Sequence, residues 1–161
     1  MAPAETGDLV ETAFAEITSS RVKRFDLYWR SKCRDGNLPS RADIDPVEIK
    51  DLLAHFLLID IETDPFRVRY RLCGSAVSLY DEEVTGAYLD TVQNITADEL
   101  QRIIRRYRAV VEERRPVFIR RKQISRQTRY ELDLQAGIWP LSQDGTTVNQ
   151  CVAVEDFPSL D

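Results

Sequence analysis

Hydrophobic and polar residues alternate most strictly between Leu57 and Gly74, in the stretch LLIDIETDPFRVRYRLCG. Phe66, Val68, Tyr70 and Leu72 alternate there with Arg67, Arg69 and Arg71. Before them, Leu57, Ile59 and Ile61 alternate with Leu58, Asp60 and Glu62. A period of two predicts strands with one apolar face and one wet face. Thr63-Asp64-Pro65 supplies a hairpin turn. Pairing across that hairpin places Asp60 and Glu62 beside Arg67 and Arg69 on the wet face.

Elsewhere the period is helical. Leu9, Val10, Ala13, Phe14 and Ile17 mark one apolar stripe, and Ser19-Ser20 marks a cap or break. Val22, Phe25, Tyr28 and Trp29 mark a second stripe, predicted to end at Asp35-Gly36. Asn37 to Pro46 reads as an extended connector, and Asp45 and Pro46 then open a short helix containing Val47, Ile49, Leu52 and Leu53. After Gly74 a short helix is expected to about Tyr80, then an acidic loop. Thr96, Asp98 and Glu99 cap the clearest helix, from about Ala97 to Arg114, and Pro116 ends it. Three strands follow, at about Val117 to Ser125, Arg129 to Leu141 and Thr147 to Glu155. Asp144-Gly145 joins the last two as a hairpin. Helices, two strands, helices and three strands together predict an α+β chain. Residues 1–55 read as a helical cap and connector, 56–156 as the core and 157–161 as a tail, all in one compact unit. The N-terminal stripes offer more apolar surface than a small sheet covers. They predict a homodimer formed through the N-terminal helices, with Phe14, Phe25 and Trp29 at its interface.

Composition narrows the chemistry. A chain of 161 residues is one domain by length, and no apolar run approaches the roughly 20 residues that span a bilayer. The acidic N-terminus lacks the basic region of a secretory signal, so a cytoplasmic protein is expected. The net charge is −5, yet residues 101–130 hold eleven Lys/Arg against two Glu, a net of +9 that leaves −14 for the rest. A basic segment can face nucleic acid. Here the pI near 5.0 and the lack of any binding motif favour solvated helix and strand faces, so no nucleic-acid or membrane partner is assigned. Three scattered cysteines (Cys33, Cys73 and Cys151) and a single histidine, His55, form neither a disulfide framework nor a metal-ligand spacing. His55 reads as a boundary residue. Acidic runs such as Asp81-Glu82-Glu83 sit in solvated positions, and no serine occupies a nucleophile elbow. Asp43 and Asp45 with Arg41 read as capping groups of the connector. No catalytic residue is assigned, and the chain is expected not to be an enzyme.

Several features fall in a telling order: Trp29, then Gly36-Asn37-Leu38-Pro39 with Arg41, Asp43, Asp45 and Pro46. Tyr70-Arg71-Leu72 follows ahead of Gly74-Ser75, then Thr85-Gly86, and finally Pro140-Leu141 and Asp144-Gly145. Over about residues 20–155 this chain resembles the PAS-domain superfamily, in particular the short stand-alone PAS-like proteins of alphaproteobacteria. It departs at Gly74-Ser75, where Gly-Thr is more usual. The resemblance implies a five-stranded antiparallel sheet of order 2-1-5-4-3 with helices over one face, supplemented here by N-terminal helices. It also implies a non-catalytic sensory or signalling module that binds a small apolar or amphipathic ligand, a partner protein or both. Ile59, Ile61, Val68, Tyr70, Leu132 and Leu134 would then form the floor of a pocket, with Tyr80, Tyr88 and Trp139 near its rim. Tyr70, Cys73, Tyr80, Tyr88 and Tyr130 are the candidate ligand contacts. The alternatives are a structural dimerisation adaptor with a filled core and, ranked lower, a small enzyme using the same cavity. No cofactor is named: Cys33 and Cys73 do not sit where a flavin-reactive cysteine would, and His55 precedes the first strand instead of lying on a middle helix.

Overall fold

A computed structural model of the chain describes residues 11–77, 83–124 and 129–158. Its sheet has five antiparallel strands, β1 (Phe56–Glu62), β2 (Arg67–Cys73), β3 (Val117–Ile124), β4 (Glu131–Ser142) and β5 (Val148–Asp156), in the order β2-β1-β5-β4-β3. Two α-helices flank it, α1 (Ser20–Lys32) and α2 (Ala97–Glu113). The expected α+β class and strand order are therefore those observed.

The caps act where the sequence placed them. Ser19 Oγ accepts from the Val22 N–H at 3.1 Å and starts α1. Thr96 and Glu99 form a reciprocal capping box at the start of α2. Asp144 turns the β4–β5 hairpin by accepting from the N–H groups of Thr146 and Thr147 and from Ser142 Oγ. These bonds hold its carboxyl well below the ordinary range.

Other local expectations are corrected. Helix α1 stops at Lys32. Asp35 and Gly36, with φ of 51° and 76°, are instead the centre of a two-residue turn closed by mutual backbone bonds between Arg34 and Asn37. Residues 46–52 form successive turns in place of a helix, followed by a 3-10 turn at Leu53–His55. The first predicted stripe falls partly outside the described residues. Its described part holds only a 3-10 turn at Phe14–Glu16. Of the short helix expected after Gly74, residues 75–76 form a turn and 78–82 lie outside the described residues.

The hairpin register pairs Asp60 with Arg69 and Glu62 with Arg67, as the alternation predicts. It then slips: Leu58 faces Leu72 but Ile59 faces Tyr70, so Arg71 is an extra residue on β2. Leu72 is thereby turned out to 51% exposure, and Cys73 takes the inward position. Gly74 follows at a point where any side chain would strike the backbone carbonyls of Leu53 and Ala54.

Both faces of the sheet carry a core. The inner face, under α2, gathers Leu57, Ile59, Ile61, Val68, Tyr70, Ile138 and Cys151 with Tyr107 and Val110 of the helix. The outer face gathers Phe56, Leu58, Phe118, Trp139, Val152 and Val154, and α1 covers it with Val22, Phe25 and Trp29. The apolar stripe of α1 is thus covered by the chain's own sheet. Phe25 and Trp29, expected at an interface between copies, are buried inside the chain, while Phe14 stays partly exposed against Phe118 at 4.9 Å between ring centroids. Trp139, expected at a pocket rim, is fully buried on this outer face. Its indole N–H donates to Asp26 Oδ1 at 3.0 Å, and that of Trp29 to the Pro140 carbonyl at 2.9 Å.

Part of each sheet edge is paired with a neighbouring segment of the chain. Thr12 N–H donates to the Phe118 carbonyl along β3. On β2, Tyr70 exchanges backbone bonds with Gly86 and Ala87. No described helix is long and apolar enough to cross a membrane.

Candidate functional site

Strand β5 carries the site. Cys151, Ala153 and Glu155 alternate on its inner face, and the first two belong to the apolar core there. Glu155 continues their phase beyond the paired end of β1, opposite Ala136 of β4. It brings a carboxylate to one end of an otherwise apolar surface. Arg121 of β3, paired with Leu134, lies on the same face one step further along the sheet. Arg106 comes from α2, which packs over β4, β2 and β3. Burial pushes the Glu155 carboxyl up to about 7, against the opposing pull of the Arg121 and Arg106 guanidiniums. The carboxylate is enclosed although the residue as a whole keeps some solvent contact.

Cys73 joins this end from β2 because the slip at Arg71 turns it inward. Burial raises its thiol, a hydrogen bond with the Thr85 hydroxyl opposes that rise, and the Glu83 and Glu155 carboxylates add to it. Thr85 N–H in turn donates to Glu83 Oε1 at 2.8 Å. Cys151 is buried deeper still, with its thiol pushed far up by desolvation alone.

The opposite face of the same strand end is also built from polar groups. Asp156, next to Glu155, points to the outer side and is buried. It accepts from Ser19 Oγ at 2.6 Å and from Arg21 Nη1 at 2.9 Å, at the first turn of α1. His55 Nδ1 lies 2.9 Å from the Glu155 carbonyl and 4.0 Å from Asp156 Oδ1. Gln135, fully buried, accepts from the N–H groups of Thr18 and Ser19. The start of α1 is therefore fastened to the sheet beside the inner-face cluster.

The sequence-predicted contacts separate. Tyr70 lies in the inner core and Cys73 at its polar end. Tyr88 sits at the β2 edge, its ring under the Arg67 guanidinium at 3.6 Å and its phenol raised chiefly by a hydrogen bond to Glu62. Tyr130 is 74% exposed. Tyr80 lies outside the described residues. Of the expected floor, Ile59, Ile61, Val68 and Tyr70 are in the inner core. Glu155, Arg106 and Arg121 were not foreseen. The clue to Glu155 was a carboxylate in phase with Cys151 and Ala153.

The arginine row is structural. Arg67 pairs bidentately with Asp90, Arg71 with Asp60 at 3.2 Å, and Arg69 Nε donates to the Gly86 carbonyl. In the basic segment, Arg120 pairs with Asp133, Lys122 with Glu131, and Arg115 with Glu11 and Glu113. Arg108 covers the Phe66 ring at 4.5 Å. A hollow of about 350 Å³ opens between Glu11–Phe14, Arg30, Arg115, Pro116 and Phe118. Both its arginines are held in ion pairs, Arg30 with Asp26. Among the described residues, no group of three His, Cys, Asp or Glu could hold a metal ion.

A family model described as a PAS domain matches residues 17–153. Among solved structures, a variant of RsLOV is similar over 84% of this chain and 68% of its own, at 11% identity and a TM-score of 0.44. A fungal LOV domain photoreceptor is similar over 73% of this chain and 94% of its own, at 14% identity and a TM-score of 0.41. No curated protein matches the sequence.

Proposed function

This chain belongs to the PAS domain family, and from that premise we propose that it is a non-catalytic sensory module in which a small amphipathic ligand on the inner face alters the seating of α1. One observation carries the reading. Successive residues of β5 point to opposite faces, Glu155 into the polar end of the inner core and Asp156 into the anchor of α1. A ligand that moves Glu155 moves that anchor by a single backbone step. It shifts the equilibrium only by its difference in affinity for the two seatings. The outward side of α1, where Leu27 stands exposed, is the surface that a partner protein or second copy would read.

The two tryptophans report on this coupling, because Trp29 is on the buried side of α1 and Trp139 packs beneath that helix. Native mass spectrometry of gently purified protein is expected to show a bound small molecule. Its removal is expected to shift tryptophan emission and to raise amide exchange across residues 20–32. Protein that carries no molecule, takes up none from a small-molecule extract of cells and shows an unchanged α1 overturns the reading. The deep burial of Tyr70 and Tyr107 supports a second reading, an adaptor with a filled core. That outcome of the experiment is the one it predicts.

A further inference from the structure

Beside the outer core lies the hollow of about 350 Å³, at the small end of the range for small-molecule sites. Residues 11–14 line it and are held in place three ways. Thr12 N–H donates to the Phe118 carbonyl at 3.0 Å, Thr12 Oγ1 accepts from the Arg120 N–H at 3.0 Å, and Arg115 donates to both oxygens of Glu11. Pro116 and the rings of Phe14 and Phe118 supply the apolar lining, and Phe14 keeps part of its ring open to solvent. Arg30, in the last turn of α1, adds a guanidinium. Its Nε donates to Asp26 Oδ2 at 2.8 Å, and Asp26 Oδ1 accepts from the Trp139 indole at 3.0 Å. A buried carboxylate thus orients the guanidinium. Among the described residues, neither Nη of Arg30 makes a hydrogen bond. The fold uses the Nε of this side chain and leaves the Nη donors to a ligand.

Charge narrows what that ligand is. Arg30 pairs with Asp26, and Arg115 pairs with Glu11 and Glu113. Three carboxylates meet two guanidiniums, so an anion adds to an excess of negative charge. An ammonium group finds each oxygen of Glu11 and Asp26 already accepting, and it meets Arg30 as a like charge. We propose that this hollow is a ligand site separate from the inner face, and that it takes a small flat aromatic molecule carrying an uncharged acceptor such as an amide carbonyl. The carbonyl oxygen accepts from the Arg30 Nη groups, a bond strengthened by the charge on the donor. The ring lies against Phe14 in an offset or edge-on contact. Arg30, Asp26 and Trp139 form one chain of hydrogen bonds, so a ligand that draws on Arg30 also alters the surroundings of the Trp139 indole.

The test is titration of the isotope-labelled full chain with benzamide, benzoate, benzylamine and cyclohexanecarboxamide, followed by amide chemical shifts. Benzamide is expected to bind tightest, shifting Thr12, Phe14, Arg30 and Phe118 together with the Trp139 indole resonance. It is expected to exceed cyclohexanecarboxamide by about threefold, the contribution of an aromatic contact, and each charged probe by about threefold or more. R30Q is expected to weaken benzamide by about tenfold. R30K, which keeps the charge beside Asp26 without the fork, is expected to fall between wild type and R30Q. F14L alters a partly exposed ring and leaves Asp26 paired. It is expected to remove the preference for benzamide over cyclohexanecarboxamide while both still bind. Circular dichroism confirms that each variant is folded. Tighter binding of benzoate or benzylamine overturns the assignment, as does benzamide affinity unchanged in both R30Q and F14L. Shifts confined to inner-face residues such as Ala153 and Ile138, or no binding by any of the four probes, overturn it too.

Discussion

The six-membered ring of Trp139 occupies the place where a side chain on Gly137 would stand. That close fit lets the indole lie between Phe25 at 4.7 Å and Phe118 at 5.8 Å, both edge-on. Gly137→Ala forces the ring out of this nest and is expected to cost about 2–3 kcal/mol. Denaturant unfolding with a change in near-ultraviolet dichroism checks it, and an unaltered midpoint would place the ring elsewhere. Glu155 makes a second prediction at this scale. Its folded value near 7 lies above the ordinary 4.5, so between these values the folded chain binds more protons than the unfolded one. Stability is therefore fully present below pH 4.5 and falls as the pH rises to 7. The loss reaches at most about 3 kcal/mol, and less to the extent that solvent reaches the carboxyl. Urea unfolding at several pH values is expected to show this decline in the wild type and a flatter profile in Glu155→Gln, which is the more stable of the two at neutral pH.

At the level of elements, α1 depends on a few buried polar groups at its start. Asp156→Asn removes the charge that Ser19 and Arg21 share. It is expected to weaken docking of residues 20–32 by about 1–3 kcal/mol, with faster amide exchange there and none of that change in α2. Equal acceleration in both helices would mean general loosening instead. The elements themselves were largely legible. Ser19, Thr96 with Glu99, and Asp144-Gly145 act through neighbours three residues away or fewer, so their signals survive in one dimension. Two features were not legible for long-range reasons. The slip at Arg71 depends on how β2 meets β1 and on Gly74 closing against Leu53 and Ala54. The alternation of Glu155 with Cys151 and Ala153 was visible, but its meaning required knowing which face α2 covers and that the Arg106 and Arg121 charges act on the carboxyl from α2 and β3.

For the whole molecule, the sheet is a wall between two apolar layers, and α1 closes the outer one. An amphipathic stripe states how much surface must be hidden and not whose surface hides it. That is why Phe25 and Trp29 pointed to a second copy, although the chain's own sheet takes them. The two arrangements differ in thermodynamics. A side chain buried within one chain contributes the same stability at every protein concentration, whereas one buried between copies contributes more as concentration rises. Phe25→Ala is expected to cost about 3–5 kcal/mol, the range for emptying a fully buried aromatic site. The loss in unfolding midpoint should be the same at about 1 µM and about 100 µM protein. A loss that changes with concentration would instead seat Phe25 between copies, and α1 would then be exchanged between chains and not folded onto its own sheet.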